Sequence, residues 1–217
     1  MATSVAILTT MGIPKALAIP AFTFKTPPSP TGESLTNPPF TLGWSFNVSP
    51  GKSFVVDALG AFDSNGDGLA SSHDIGLWDG GGNLLASVLG VTGDSLPLVD
   101  NFRYKTLTSP VTLSGGTYYV GATWLDGTDP NTFPGDILEL NFVDGINFRQ
   151  NQFVAGALLA FPGASTGPSL AYYGPNVDFR PAPAPLPVLG AAAAFGYTRK
   201  LRRRVKGSQT AVPNALS

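Results

Sequence analysis

From residue 40 onward the apolar positions recur every second residue. Leu42, Trp44, Phe46 and Val48 alternate with Gly43, Ser45 and Asn47, the pattern of a strand that buries one face and presents the other. Similar runs follow at 54–62, 74–78, 84–89, 102–107, 111–113, 117–124, 137–142 and 155–161, with a last one at 176–180. Between them stand turn formers: Ser49-Pro-Gly-Lys52, Asp79-Gly-Gly-Gly-Asn83, Ser114-Gly-Gly116, Asp126-Gly-Thr-Asp-Pro130 and Phe161-Pro-Gly163. Gly supplies positive φ at such points and Pro presets φ for a bend. No 3.6-residue period is sustained. Many short strands at this spacing predict an all-β fold, an antiparallel β-sandwich of jelly-roll or immunoglobulin-like type.

The two ends break the pattern. Val5 to Ile13 is a short apolar core and Ala16-Leu-Ala18 a small-x-small cleavage signature, so residues 1–18 read as a secretory signal peptide. No Lys or Arg precedes that core, as expected where the true start lies upstream. Residues 19–38 include Lys25-Thr-Pro-Pro-Ser-Pro-Thr-Gly and read as a flexible leader. The β domain is expected over 39–180, a length that buries one good core. Beyond it, Pro181-Ala-Pro-Ala-Pro-Leu-Pro187 leads into Val188-Leu-Gly-Ala-Ala-Ala-Ala-Phe-Gly-Tyr-Thr198, a short apolar helix, which meets Arg199-Lys-Leu-Arg-Arg-Arg-Val-Lys206. Residues 207–217 read as a disordered tail.

Charge sharpens the reading of the C-terminus. Six of the thirteen Lys and Arg fall between Arg199 and Lys206, while all fourteen Asp and Glu lie at or before Asp178. A basic cluster after an apolar helix stays on the cytoplasmic side, which puts the acidic body across the membrane. The protein is therefore expected to be exported, to the cell envelope, the cell surface or the medium. The seventeen uncharged residues from Ala182 to Thr198 sit at the short end of the roughly 17–25 that a spanning helix needs.

The order Pro motif, apolar helix, Arg cluster over 181–206 resembles the PEP-CTERM sorting signal of bacterial proteins processed by exosortases, in its cyanobacterial-type variant. Two features depart from it. Pro183-Ala-Pro185 and Pro185-Leu-Pro187 stand in place of the Pro-Glu-Pro core, and Gly207 to Ser217 run past the usual end. The resemblance implies an exosortase-type processing enzyme as partner and a transient stay in the membrane through residues 182–198. A permanent anchor and a solvated basic tail are the other readings of the same residues. Gly43-Trp-Ser-Phe46, Phe62-Asp-Ser-Asn-Gly-Asp-Gly-Leu69, Gly76-Leu-Trp-Asp79 and Gly116-Thr-Tyr118 also resemble, in this order, a β module that recurs in PEP-CTERM proteins.

One segment carries candidate chemistry, Asp63-Ser-Asn-Gly-Asp-Gly-Leu-Ala-Ser-Ser-His-Asp74. Oxygen donors fall at positions 1, 3 and 5 (Asp63, Asn65, Asp67), with Gly68 at 6, the Leu69 carbonyl at 7, Ser71 at 9 and Asp74 at 12. Alternate residues of such a loop turn their oxygens inward around calcium and the Gly permits the sharp bend. The spacing resembles EF-hand and dockerin loops, although the flanks predict strands and not helices. A plain surface turn is the competing reading, because Asn-Gly and Asp-Gly form turns without an ion.

The remaining residues exclude more than they suggest. With no Cys there is no disulfide framework and no thiol chemistry. The body holds six basic residues against fourteen acidic ones, a poor balance for gripping phosphates, so nucleic acid is not an expected partner. His73, the single His, reads as a turn residue beside the Asp cluster, and Asp126 and Asp129 as loop residues. Glycoside hydrolysis needs two opposed carboxylates, and Glu139 faces outward between Leu138 and Leu140. Trp44, Trp78, Tyr104, Tyr118, Tyr119, Trp124, Tyr172 and Tyr173 read mostly as core, and would stack on sugars only where exposed. Two functions are left: a non-enzymatic surface or extracellular-matrix protein with a calcium-stabilised β domain, or a lectin-like module for extracellular polysaccharide.

Overall fold

The computed structural model describes residues 19–25, 39–131, 139–165, 167 and 172–181. Residues 1–18, 26–38 and 182–217, which hold the expected signal peptide, most of the expected leader and the expected apolar helix and basic tail, lie outside the described residues. The described residues form ten strands: β1 (Ile19–Pro20), β2 (Phe22–Lys25), β3 (Phe40–Phe62), β4 (Leu69–Asp79), β5 (Leu84–Gly93), β6 (Leu98–Val99), β7 (Phe102–Trp124), β8 (Glu139–Phe142), β9 (Ile146–Ala155) and β10 (Pro175–Pro181). No helix occurs among the described residues. The described residues are all-β, as the two-residue period predicts.

β3 and β7, 23 residues each, form the antiparallel spine. Phe40 pairs with Trp124 at one end and Phe62 with Phe102 at the other. Two irregularities bend this pair. Between the pairs Val48–Gly116 and Ser53–Ser114, the turn Ser49-Pro-Gly-Lys52 bulges out of β3 without ending it. Between Val56–Val111 and Ala58–Thr106 the extra residues lie on β7, where Asp57 is held by Arg180 (Nε to Oδ2 2.6 Å). Bulges increase local twist, and the sheet curls. Its order is β1-β10-β3-β7-β4-β5, with β9 added to the first half of β3 and β6 to the start of β7. The product is a half-barrel; β2 and β8 form a separate two-stranded sheet.

Curling brings the two halves of β3 to opposite sides of one core. Phe46 on the first half meets Phe179 on β10 (ring centroids 6.1 Å), and β10 pairs with the second half. Trp44 Nε1 donates to Pro175 O across the same gap (2.8 Å). Phe22 occupies the centre, with Trp44, Phe102, Phe142 and Tyr173 around it at 5.2–5.6 Å.

Phe22 also corrects the flexible-leader reading for residues 19–25, while residues 26–38 of that expected leader lie outside the described residues. Residues 19–25 are strands: Ile19 and Pro20 pair with β10, and Phe22–Lys25 with β8. Fully burying one Phe stabilises by about 1.5–3 kcal/mol, enough to hold a short strand against the core. Three further differences from the sequence pattern stand out. The runs expected at 42–48 and 54–62 are one strand, as are those at 102–107, 111–113 and 117–124. Residues 156–161 are not a strand. Residues 146–155 are one, although Asn147, Arg149, Asn151 and Gln152 hide it from a hydrophobic count. Its buried polar groups are satisfied by neighbours: the Gln152 amide donates to the Pro162 and Ala164 carbonyls (2.9 and 3.1 Å).

Candidate functional site

The Asp63–Asp74 segment divides into a turn and a strand. Asp63 follows the last residue of β3 and is 2% exposed. Its Oδ1 accepts from the Gly66 amide (2.9 Å) and its Oδ2 from the Gly68 amide (3.0 Å). Both glycines have positive φ, 74° and 116°, which turns their N–H groups inward at no side-chain cost. Oδ2 also receives the Nε–H of Arg103 at 2.7 Å. The same guanidinium donates to the carbonyls of Gly66 (2.6 Å), Asp94 (2.8 Å) and Leu96 (3.0 Å). A buried internal cation therefore braces the turn, tying it to β7 and to the segment after β5.

From Leu69 onward the chain is β4. Leu69 is core and its carbonyl accepts from Thr92 Oγ1 (3.3 Å). The Asp74 carboxylate accepts from the Gly90 amide on β5 (2.8 Å). Extended backbone advances about 3.3 Å per residue, so positions 7, 9 and 12 of the expected calcium loop are carried away from positions 1, 3 and 5. The structure brings Asp63, Asn65 and Asp67 together and does not bring Leu69, Ser71 and Asp74 to them. The first three line a cleft of about 260 Å³ whose opposite wall is Thr128 and Asp129. Among the described residues no group of three His, Asp or Glu side chains is placed to hold a metal.

Asp129 organises the other side of that cleft. It is 5% exposed. Its carboxylate accepts from the Ala70 amide (3.0 Å), the Ser71 amide (2.8 Å) and the Ser71 hydroxyl (2.8 Å), and meets His73 Nε2 at 3.0 Å. Burial pushes this carboxyl up, but the hydrogen bonds from His73, from both amides and from Ser71 outweigh it and bring the pKa down to about 2. His73 is fully buried against Trp124 (4.7 Å), and its Nδ1 faces the Thr123 carbonyl at 2.7 Å. Both ring nitrogens thus face oxygens.

His73 is therefore a core residue of β4, not the turn residue that its neighbours suggest. Ser71, His73 and Asp129 are the three residue types of a nucleophilic triad in the wrong arrangement. In a triad the imidazole accepts the hydroxyl proton and the carboxylate holds the other nitrogen. Here the Ser71 hydroxyl donates to Asp129 (2.8 Å), and the hydroxyl and the carboxylate both approach the same ring nitrogen, His73 Nε2 (3.5 and 3.0 Å), instead of opposite ones. What this cluster does is fasten the 126–130 turn to β4.

Two signals for these residues lay in the sequence. His73 shares the two-residue phase of Leu69, Ser71, Ile75 and Leu77, the inward face of β4. Arg103 stands between Phe102 and Tyr104 in a strand of a body poor in basic residues. The partners Asp63 and Asp129, 40 and 56 residues away, carry no such signal. Of the aromatic residues, Trp44, Trp78, Tyr104, Trp124 and Tyr173 are buried, and Tyr118, Tyr119 and Tyr172 half-buried. Glu139 is exposed and pairs with Lys25 (3.1 Å). Comparison with known proteins adds no assignment: the sequence matches no family model and no curated protein.

Proposed function

We propose that this is an exported, non-enzymatic protein of the cell surface or extracellular matrix, sorted through its C-terminal signal. The observation that carries the reading is the sequence order of Pro motif, apolar segment and Arg cluster over 181–206, set against a body that holds all the acidic residues. An exosortase-type enzyme would process it while residues 182–198 sit in the membrane. The fold is compatible with this role, since the chain's own groups engage the buried carboxylates of Asp63, through Arg103, and of Asp129, through Ser71 and His73. The finer fold is a sandwich of jelly-roll or immunoglobulin-like type, closed by the curl of β3 and β7. Intact-mass measurement of the surface or secreted form tests the sorting: loss of the segment containing Arg202 to Arg204 is expected, and a mature protein that keeps it would make the tail a simple anchor.

Calcium belongs to this proposal in a reduced form. An ion would bind in the cleft through Asn65 and Asp67, with Asp63 shared with Arg103, and would stiffen the turn. A second reading, a lectin-like module for extracellular polysaccharide, is favoured by one observation, an unpartnered buried phenol beside a small cavity. Neither reading involves nucleic acid.

A further inference from the structure

A cavity of about 150 Å³ lies where β1, β10, β3 and β7 run side by side. Small residues on the central strand create it. Ala58 pairs with Asp178 on one side and Thr106 on the other, and Pro20 pairs with Asp178. One rung across four strands thus carries Pro20, Asp178, Ala58 and Thr106 on a common face. Two rungs along, on the same face, Gly60 pairs with Tyr104, whose ring lies flat on it: a Cβ at Gly60 would stand 2.7 Å from Cε1. Pro97 and Val99 close the cavity beside Tyr104.

Tyr104 is 6% exposed, and its covered hydroxyl has no hydrogen-bond partner. A buried polar group left unpaired costs about 1–3 kcal/mol, so the position calls for a reason. Burial raises the phenol pKa well above its ordinary value, and the charges of Asp178 and Asp100 add to this, so the hydroxyl is a neutral donor. Asp178 is already engaged within the protein.

We propose that this cavity binds one ring of a neutral, hydroxyl-bearing ligand, a terminal sugar residue of a glycan, with the Tyr104 hydroxyl as its hydrogen-bonding anchor. The inference rests on the carbohydrate-binding reading and gives it a place. A water needs only roughly 10–15 Å³ of such space, so the cavity admits a larger group. Sites enclosing drug-sized ligands start near roughly 300 Å³, so it takes one ring and leaves the rest of a chain outside. Pro20, Pro97 and Val99 suit the apolar edge of a pyranose, and the Thr106 hydroxyl suits its oxygens. The negative charge of Asp178 and Asp100 turns away uronates and other anions. Val99, 43% exposed on the two-residue β6, is the wall that moves aside to let the ring reach the phenol.

The test is a titration of the exported chain with methyl glycosides of glucose, galactose, mannose and N-acetylglucosamine, read by amide NMR shifts. Tetramethylammonium and glucuronate serve as cationic and anionic controls. At least one neutral glycoside should bind, with Kd on the order of 1 mM for a ligand of this size, and should move the Gly60, Val99, Tyr104 and Thr106 amides. Tyr104→Phe should weaken it tenfold or more while leaving the melting temperature unchanged or higher, because it removes a polar group that bonds nothing. A glycoside that binds Tyr104→Phe as tightly as wild type would overturn this site and leave the carbohydrate reading standing. Silence from every glycoside, or binding of tetramethylammonium alone, would overturn both.

Discussion

Replacing Arg103 by Met keeps the side-chain stem and removes the charge that braces the 63–68 turn. Arg103 and Asp63 are 6% and 2% exposed. The substitution deletes four hydrogen bonds at once: to Asp63 Oδ2 and to the carbonyls of Gly66, Asp94 and Leu96. What is left behind decides the magnitude. The Asp63 carboxylate stays buried, with only the Gly66 and Gly68 amides to stabilise its charge. Breaking a buried pair by removing one partner costs about 3–5 kcal/mol, a large share of the roughly 5–15 kcal/mol that holds a domain together. Urea unfolding of the exported body should show that loss as a lower midpoint. Arg103→Lys should lose less, since a point charge can serve Asp63 but cannot reach three carbonyls as a fork does. Adding Asp63→Asn to Arg103→Met should recover part of the loss by removing the orphaned charge. A loss below about 1 kcal/mol in Arg103→Met, the value of a surface pair, would refute the account of Arg103 as a buried brace.

Acid should expose the second buried carboxylate. The Asp129 pKa in the folded state, about 2, lies below its ordinary 3.8, so its contribution of roughly 2 kcal/mol is present above pH 3.8 and fades as pH falls toward 2. Asp129→Asn should flatten that part of the stability profile, and an unchanged acid limb in the variant would contradict it. Calcium at ten times Kd should add about 1.4 kcal/mol, roughly 3–6 °C in melting temperature. Asp67→Ala should abolish the shift and Arg103→Met, which frees Asp63, should enlarge it; equal shifts in all three proteins would remove the ion from the 63–68 turn. Gly43→Ala should destabilise by about 3 kcal/mol or more, measured in urea, because its Cβ would lie 1.9 Å from the Val120 carbonyl, between strands β7 and β9 that flank it on both sides. Gly51→Ala has free space but φ of 78° and should cost only about 1–2 kcal/mol; parity between the two variants would contradict the steric account.

Local pattern alone determined that the chain is β-structured and where most of its turns lie. Alternation at Leu42, Trp44, Phe46 and Val48 names the face that meets the aromatic core, since successive side chains of a strand point to opposite sides; it does not show that Thr41 and Ser45 on the other face are fully buried as well. Whether a turn signal ends a strand is a different matter. Ser49-Pro-Gly-Lys52 has the composition of a hairpin turn, yet β3 continues through it, because β7 offers partners on both sides of the bulge. Phe22 looks like part of a loose leader until Trp44, Phe102 and Tyr173 surround it, and β9 is polar enough to pass for a loop until Pro162 and Ala164 receive its amide.

The same division holds at the candidate site. Spacing in the sequence aligned Asp63, Asn65, Asp67, Ser71 and Asp74 as if all faced one ion, and that inference presumes a backbone that wraps. Only tertiary pairing decided otherwise. β5 draws residues 69–79 into an extended strand, so Ser71 turns to Asp129 and Asp74 to Gly90. Arg103 and Asp129, the residues that fasten the turn and β4 there, come from other strands and loops, joined by no local rule. Spacing along a chain sets which oxygens are near one another only while the backbone is left to itself; sheet pairing sets it here.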